Sequence, residues 1–277
     1  MKYLLILFCV TYSKAKYVDL TYALNKDVVM WPGRENTFHT EIEAELPDGT
    51  WVASKGFCIS EHTSTHIDAP YHVYKNGGTL DKIPLDTLLD VPGVCIDIYD
   101  KVQGVRNGQA RVTSNYVITK EDILEWEEKN GQIPPKALVL VRTGWGKRWP
   151  NVFDYLGIPK DHRTTTEATG DTETKNSSIV NNEMSKHLNF PGIDATAAVF
   201  LSVERQVNGV GIDAISIDAG NAKTFPAHKI FGRRGIYMLE NVANLHLLPP
   251  RGFQLFAVPF KVDGGTGSPT RLIAKLP

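Results

Sequence analysis

The chain has 277 residues, 42% hydrophobic and 22% charged, with a formal charge of -1 and a pI near 6.7. That is enough apolar material for one large core, as a single domain with elaborations, and too much for a disordered chain or a fibre. No cationic excess is available for a phosphate backbone, so nucleic acid is excluded as an expected partner and a small-molecule substrate is favoured.

Residues 1–15 read as a leader. Lys2 precedes the apolar run Tyr3 to Val10, and Ser13-Lys14-Ala15 places small residues where a signal peptidase cuts. The run is too short to cross a bilayer of about 30 Å as a helix. The expectation is a signal peptide over 1–15, no membrane span and a secreted chain beginning at Lys16; the competing reading is a retained first strand. Loss of Cys9 leaves Cys58 and Cys95, which in an oxidising compartment either pair or remain buried thiols.

Strand-like runs follow at Thr37 to Ala44, Val91 to Ile98, Ala137 to Thr143, Val210 to Ser216, Gly235 to Val242 and Phe253 to Val262. Thr119-Lys-Glu-Asp122 predicts a capping box opening a helix that stops at Asn130-Gly131, and a second helix is predicted over Asp194 to Gln206. Residues 160–178 are polar, cannot feed a core and predict a surface insertion; Asn176-Ser-Ser within it is a glycosylation sequon. Gly209-Val-Gly-Ile-Asp-Ala214 fits a dinucleotide fingerprint in form only, since its alternation leads into more strand where that motif needs a helix. No Gly-x-Ser-x-Gly elbow supplies a serine nucleophile.

The densest chemistry lies in Glu61-His-Thr-Ser-Thr-His-Ile-Asp-Ala-Pro-Tyr-His72. Neutral imidazole and carboxylate are the donors that Zn²⁺ or Mn²⁺ prefer, and His62-x₃-His66-x-Asp68 offers three within seven residues. In a straight strand the Cα atoms of residues 62 and 66 would lie roughly 13 Å apart, too far for both rings to reach one ion. The chain must therefore coil at Thr63-Ser64-Thr65, as one helical turn would, and Pro70 then favours an extended exit with His66 and Asp68 on one side. His72, beyond the proline, is placed as a proton-transfer group near the ion but free of it. Position 63 is Thr, so the HExxH helix of the zincins is absent.

The run His62-Thr-Ser-Thr-His66-Ile-Asp68-Ala-Pro-Tyr-His72 resembles the H-x-G-T-H-x-D-x-P-x-H signature of the metal-dependent cyclase or kynurenine formamidase-like family. Tyr17 to Tyr22, Met30-Trp-Pro-Gly33, Phe190-Pro-Gly192, Gly209 to Asp218, Phe225-Pro-Ala-His228 and Met238-Leu-Glu-Asn241 extend the likeness. It implies a swivelling β/β/α architecture, an α/β fold with mixed sheets, and a homo-oligomer, dimer or tetramer. It further implies one or two divalent ions, Zn²⁺ or Mn²⁺, held by His62, His66 and Asp68 with His228 and Glu240. His72 would be the acid/base and Trp31 a wall of the substrate pocket. Glu240, a lone carboxylate in an apolar strand, supports that assignment independently. Ser64 stands where the family has Gly, an expected change in the turn or the width of the site. The implied activity is hydrolysis of a small aryl formamide, N-formylkynurenine first. The alternatives are a cyclic amide such as isatin, or a secreted binding protein that keeps the ion and has lost catalysis.

Overall fold

The computed structural model describes residues 16–34, 36–106, 109–163 and 184–277. The predicted leader, Asn176 and all of the polar insertion beyond residue 163 lie outside them.

The principal strands are β1 (Tyr17–Asp19), β2 (Thr37–Glu45), β3 (Trp51–Cys58), β4 (His66–Asp68), β5 (Val91–Asp97), β6 (Leu138–Arg142), β7 (Gly209–Ile212), β8 (Tyr237–Glu240), β9 (Arg251–Pro259) and β10 (Gly267–Lys275). β2 and β3 form a separate hairpin. The other eight make one mixed sheet in the order β1-β10-β9-β5-β6-β7-β8-β4. Because β10 also pairs with β4, the sheet closes on itself, with β1 pairing along the far end of β10. β5 to β8 run parallel, and their longer connections carry the helices.

Two-residue alternation divides the core into two layers. Leu138, Leu140, Tyr237, Leu239, Ile67, Leu255 and Leu272 fill the inside of the closed sheet. Val139, Val141 and Met238 face outward, onto helices α2 (Lys120–Asn130), α4 (Ala195–Val199) and α5 (Pro226–Arg233); α1 (Tyr99–Gln103) and α3 (Val152–Leu156) are short. The capping box of α2 is present: Thr119 Oγ1 accepts from the Asp122 amide at 3.3 Å, and the Asp122 carboxylate accepts from the Thr119 amide at 2.8 Å. The helix expected over 194–206 runs as α4 and then loosens into a π turn, Phe200–Glu204.

Several expected strands end early. β7 stops at Ile212 because Asp213 turns its carboxylate onto the amides of Thr143 and Gly144, each at 2.8 Å. The glycines of the apparent dinucleotide motif serve packing: a Cβ on Gly209 would sit 2.4 Å from the Tyr237 ring, and one on Gly211 would sit 2.7 Å from Leu140. Cys58 is exposed, Cys95 is buried, and both are free, so the structure answers the pairing question against a disulfide. No helix among the described residues is long and apolar enough to cross a membrane.

Candidate metal centre

Strand pairing brings the candidate ligands together. Ile67 points into the closed sheet, so His66 and Asp68, one residue to either side, project outward on the helix-covered face. The antiparallel register sets Glu240 opposite His66 and Met238 opposite Asp68, which puts the Glu240 carboxylate on that same face. His228 arrives from the first turn of α5, opened by Pro226. His66, Asp68, His228 and Glu240 are 2%, 1%, 5% and 6% exposed.

The expected convergence of His62 and His66 is met, with ring centroids 5.3 Å apart, but not by a helical turn. The chain bends at Ser64, whose φ of 58° is left-handed, a conformation glycine adopts without the side-chain penalty. Ser64 does not line the cavity; its hydroxyl donates to the Tyr22 carbonyl at 3.3 Å, so the substitution of the family's Gly bears on the backbone turn and not on the width of the site.

The hydrogen bonds fix which nitrogen of each buried ring faces the cluster. His66 Nδ1 lies 2.9 Å from the Ser64 carbonyl, which only accepts, so Nδ1 carries the hydrogen. That leaves Nε2 as the inward atom, 3.3 Å from Asp68 and 3.4 Å from Glu240, buried and without a hydrogen-bond partner. His228 Nδ1 donates to Asp218 at 2.6 Å, leaving Nε2 at 3.1 Å from Glu240 and 3.5 Å from Asp68. His62 Nδ1 lies 2.6 Å from Asp68. Two sets of three donors, His66/Asp68/Glu240 and His62/Asp68/His72, each have atoms within 4.8 Å of one another and share Asp68.

Two buried carboxylates among imidazoles create a pocket that demands positive charge. Burial opposes a proton on His66, yet Asp68 and Glu240 outweigh it and raise its pKa to about 10. Burial opposes charge on Asp68 too, but the surrounding His66, His228 and His62 hold it well below the usual carboxylate range. A divalent ion answers the same demand while using the orphaned Nε2 of His66, so the donor set fits a borderline cation. His72 stands at the rim, its ring centroid 4.0 Å from that of His62. Burial lowers its pKa against the opposing pull of Asp68, which favours the neutral ring.

The cluster floors a cavity of about 390 Å³. Trp31 lines it, 6.2 Å from Phe225 between ring centroids. Phe225 holds a left-handed φ of 50° immediately before α5, a strain of order 1–3 kcal/mol that turns the chain into the helix carrying His228. Arg34 and Lys229 are the cationic chains of the lining.

Two supporting residues escaped the sequence reading. Asp218 orients His228 and also accepts from the amides of Ala227 and His228 at 2.8 and 3.1 Å, tying the ligand's backbone and ring to one carboxylate. Its signal was available, a lone acid within apolar Ala214 to Ala219. Asn241 donates to the Ser64 carbonyl at 2.7 Å and accepts from Tyr155 at 2.9 Å, bracing the bend.

The Cyclase family model, described as "Putative cyclase", matches residues 18–219. That span includes Trp31, His62, His66, Asp68 and His72 and ends before His228 and Glu240, which strand pairing and α5 bring in. An isatin hydrolase from Roseibium aggregatum is 30% identical over 239 residues, 83% of this chain and 77% of that one. A kynurenine formamidase from Bacillus mycoides is 26% identical over 264 residues, 94% and 98% of the two chains. The structure of isatin hydrolase A from Labrenzia aggregata bound to benzyl benzoate superposes with a TM-score of 0.76 at 31% identity, covering 95% and 94%. With this extent of match the chain belongs to the Cyclase family.

Proposed function

We propose that the chain is a divalent-metal-dependent hydrolase of small aryl amides, with N-formylkynurenine as its substrate and kynurenine and formate as products. The observation that carries this is the buried convergence of His66 Nε2, His228 Nε2, His62 Nδ1, Asp68 and Glu240 on the floor of an aromatic-walled cavity. A divalent ion held there, Zn²⁺ or Mn²⁺, supplies the Lewis acidity that activates water and polarises an amide carbonyl. His62, His66 and His228 all face Asp68 or Glu240 and would hold one ion or two, with His72, which closes the second set of donors, left free for proton transfer.

The side chains supply the rest. Water oxygen adds to the formyl carbon, the C–N bond breaks, and the aniline nitrogen leaves with a proton. His72, a neutral ring at the rim, takes a proton from the attacking water and delivers one to that nitrogen. Trp31 and Phe225 flank an aryl ring. Arg34 and Lys229, which have no carboxylate partner among the described residues, complement an amino-acid carboxylate at the cavity mouth.

The likeness to isatin hydrolases favours a second reading, ring opening of a cyclic amide by the same donors and the same histidine. A hydrolysis screen with and without added Zn²⁺ or Mn²⁺ tests both. Metal-dependent turnover of N-formylkynurenine, with KM raised in Arg34→Ala and Lys229→Ala, supports the first; turnover of isatin alone supports the second. Uptake of either compound without product would instead favour a non-catalytic binding protein. We propose in addition a single secreted domain, cleaved after Ala15 and glycosylated at Asn176, which N-terminal sequencing and intact mass of the exported protein test. Ile42, Trp51 and Phe57, exposed on the β2–β3 hairpin, support a homo-oligomer, checked by light scattering.

A further inference from the structure

We propose that Glu61 and Thr266 are positioning residues that lock the ring of His62, so that its Nδ1 is the atom presented to a divalent ion. The inference rests on the reading of this cluster as a metal centre. His62 differs from the two buried histidines, His66 and His228, in showing Nδ1 to the cluster, 2.6 Å from Asp68, with Nε2 turned outward. That outer nitrogen lies 2.9 Å from Thr266 Oγ1.

A hydroxyl has one hydrogen to give. The Thr266 hydroxyl makes a short bond to Glu61, whose carboxylate only accepts, so the hydroxyl donates there and is left as an acceptor toward His62. The Thr266 amide donates to the same Glu61 oxygen at 3.0 Å, fixing the threonine from a second direction. His62 therefore carries a hydrogen on Nε2, which leaves Nδ1 as the atom facing the Asp68 carboxylate. At 2.6 Å the two atoms need a positive charge between them, supplied either by a second proton on an imidazolium or by the divalent ion that replaces it.

The neighbouring glycines fit this role. A Cβ on Gly267 would lie 2.6 Å from His62 Cε1, so the β10 backbone lies close against the imidazole. One on Gly265 would lie 3.0 Å from Glu61 Oε1. Gly265-Thr266-Gly267 is thus a cradle in which only the middle residue has a side chain, and that side chain carries the hydrogen-bond chain from Glu61 to His62.

The test is competition with a chromogenic chelator for Zn²⁺ and Mn²⁺, together with the visible spectrum of the Co²⁺-loaded protein, on wild type, Thr266→Val, Thr266→Ser and Glu61→Ala. Valine removes the acceptor and serine restores it. Thr266→Val should weaken binding about 10- to 100-fold, the usual consequence of losing a partner that orients a ligand, and should shift the Co²⁺ bands. Thr266→Ser should remain near wild type in both. In Glu61→Ala the hydroxyl is free to turn its hydrogen toward His62, so affinity should fall there also; this variant decides the matter should valine prevent folding. Wild-type affinity and an unaltered spectrum in Thr266→Val, or in Glu61→Ala where valine does not fold, would overturn the proposal, as would a serine variant as weak as valine. A wild-type protein that binds no divalent ion would overturn the metal centre itself, a separable failure.

Discussion

Asp218→Asn is a nearly isosteric change whose effect follows from counting donors. In the native site the Asp218 carboxylate accepts from His228 Nδ1 and from two backbone amides at the start of α5. Asparagine keeps one accepting oxygen and presents two N–H donors in place of the other. If the amide group faces His228, the ring must move its hydrogen to Nε2, the atom 3.1 Å from Glu240 that the metal centre needs as a lone pair. If it faces the Ala227 amide instead, donor opposes donor at a buried position. Either arrangement forfeits a charge-assisted bond worth about 1.5–3 kcal/mol, and the first also removes a ligand atom. Metal affinity measured by chelator competition should therefore fall about 10- to 100-fold, while circular dichroism of the metal-free protein stays native. Metal affinity equal to wild type in a folded Asp218→Asn protein would refute the claim that His228 Nε2 is a ligand atom held by this carboxylate.

Other outcomes follow from the same geometry. His72→Ala should keep its metal and lose about 10²- to 10⁴-fold in turnover, the usual share of a general acid/base, whereas His66→Ala should lose both; metal loss in the first, by elemental analysis, would contradict the separation of roles. Thermal unfolding with metal at 100 times its Kd should report about 2.7 kcal/mol of added stability, a rise of roughly 4–5 °C for a chain of this size; chelator should reverse it, and no shift would count against a built site. Ser64→Gly should change stability by less than about 1 kcal/mol, because relief of the left-handed side chain is offset by greater freedom of the unfolded chain and a lost bond to Tyr22. A changed substrate range in that variant would show that Ser64 shapes the cavity after all.

The sequence made the site legible where its residues are close in the chain. His62, His66 and Asp68 could be placed around one point by spacing, extended exit and proline alone, and β4 bears out the shared side of residues 66 and 68. His228 and Glu240 depended largely on family likeness, because nothing local states that β8 pairs with β4 in the register that opposes Glu240 to His66. Thr266 and Glu61 stand 205 residues apart and meet only because β10 also closes onto β4, a contact that composition and periodicity do not encode. The bend between His62 and His66 was correctly required but given the wrong local form: a helical turn satisfies the distance, while the chain uses one left-handed residue braced by Asn241. Strand limits ran long at Ser216 for a related reason, since Asp213 is recruited by Thr143 and Gly144 from another strand's end.

The most direct test is elemental analysis of the purified, undialysed protein beside Glu240→Ala, with hydrolysis of N-formylkynurenine and isatin assayed on the same samples. The structure predicts at least one divalent ion per chain and metal-dependent turnover in wild type, with both lost in the variant. Wild-type protein that carries no divalent ion, or whose activity survives complete chelation, would contradict the assignment of His62, His66, Asp68, His228 and Glu240 as a metal centre.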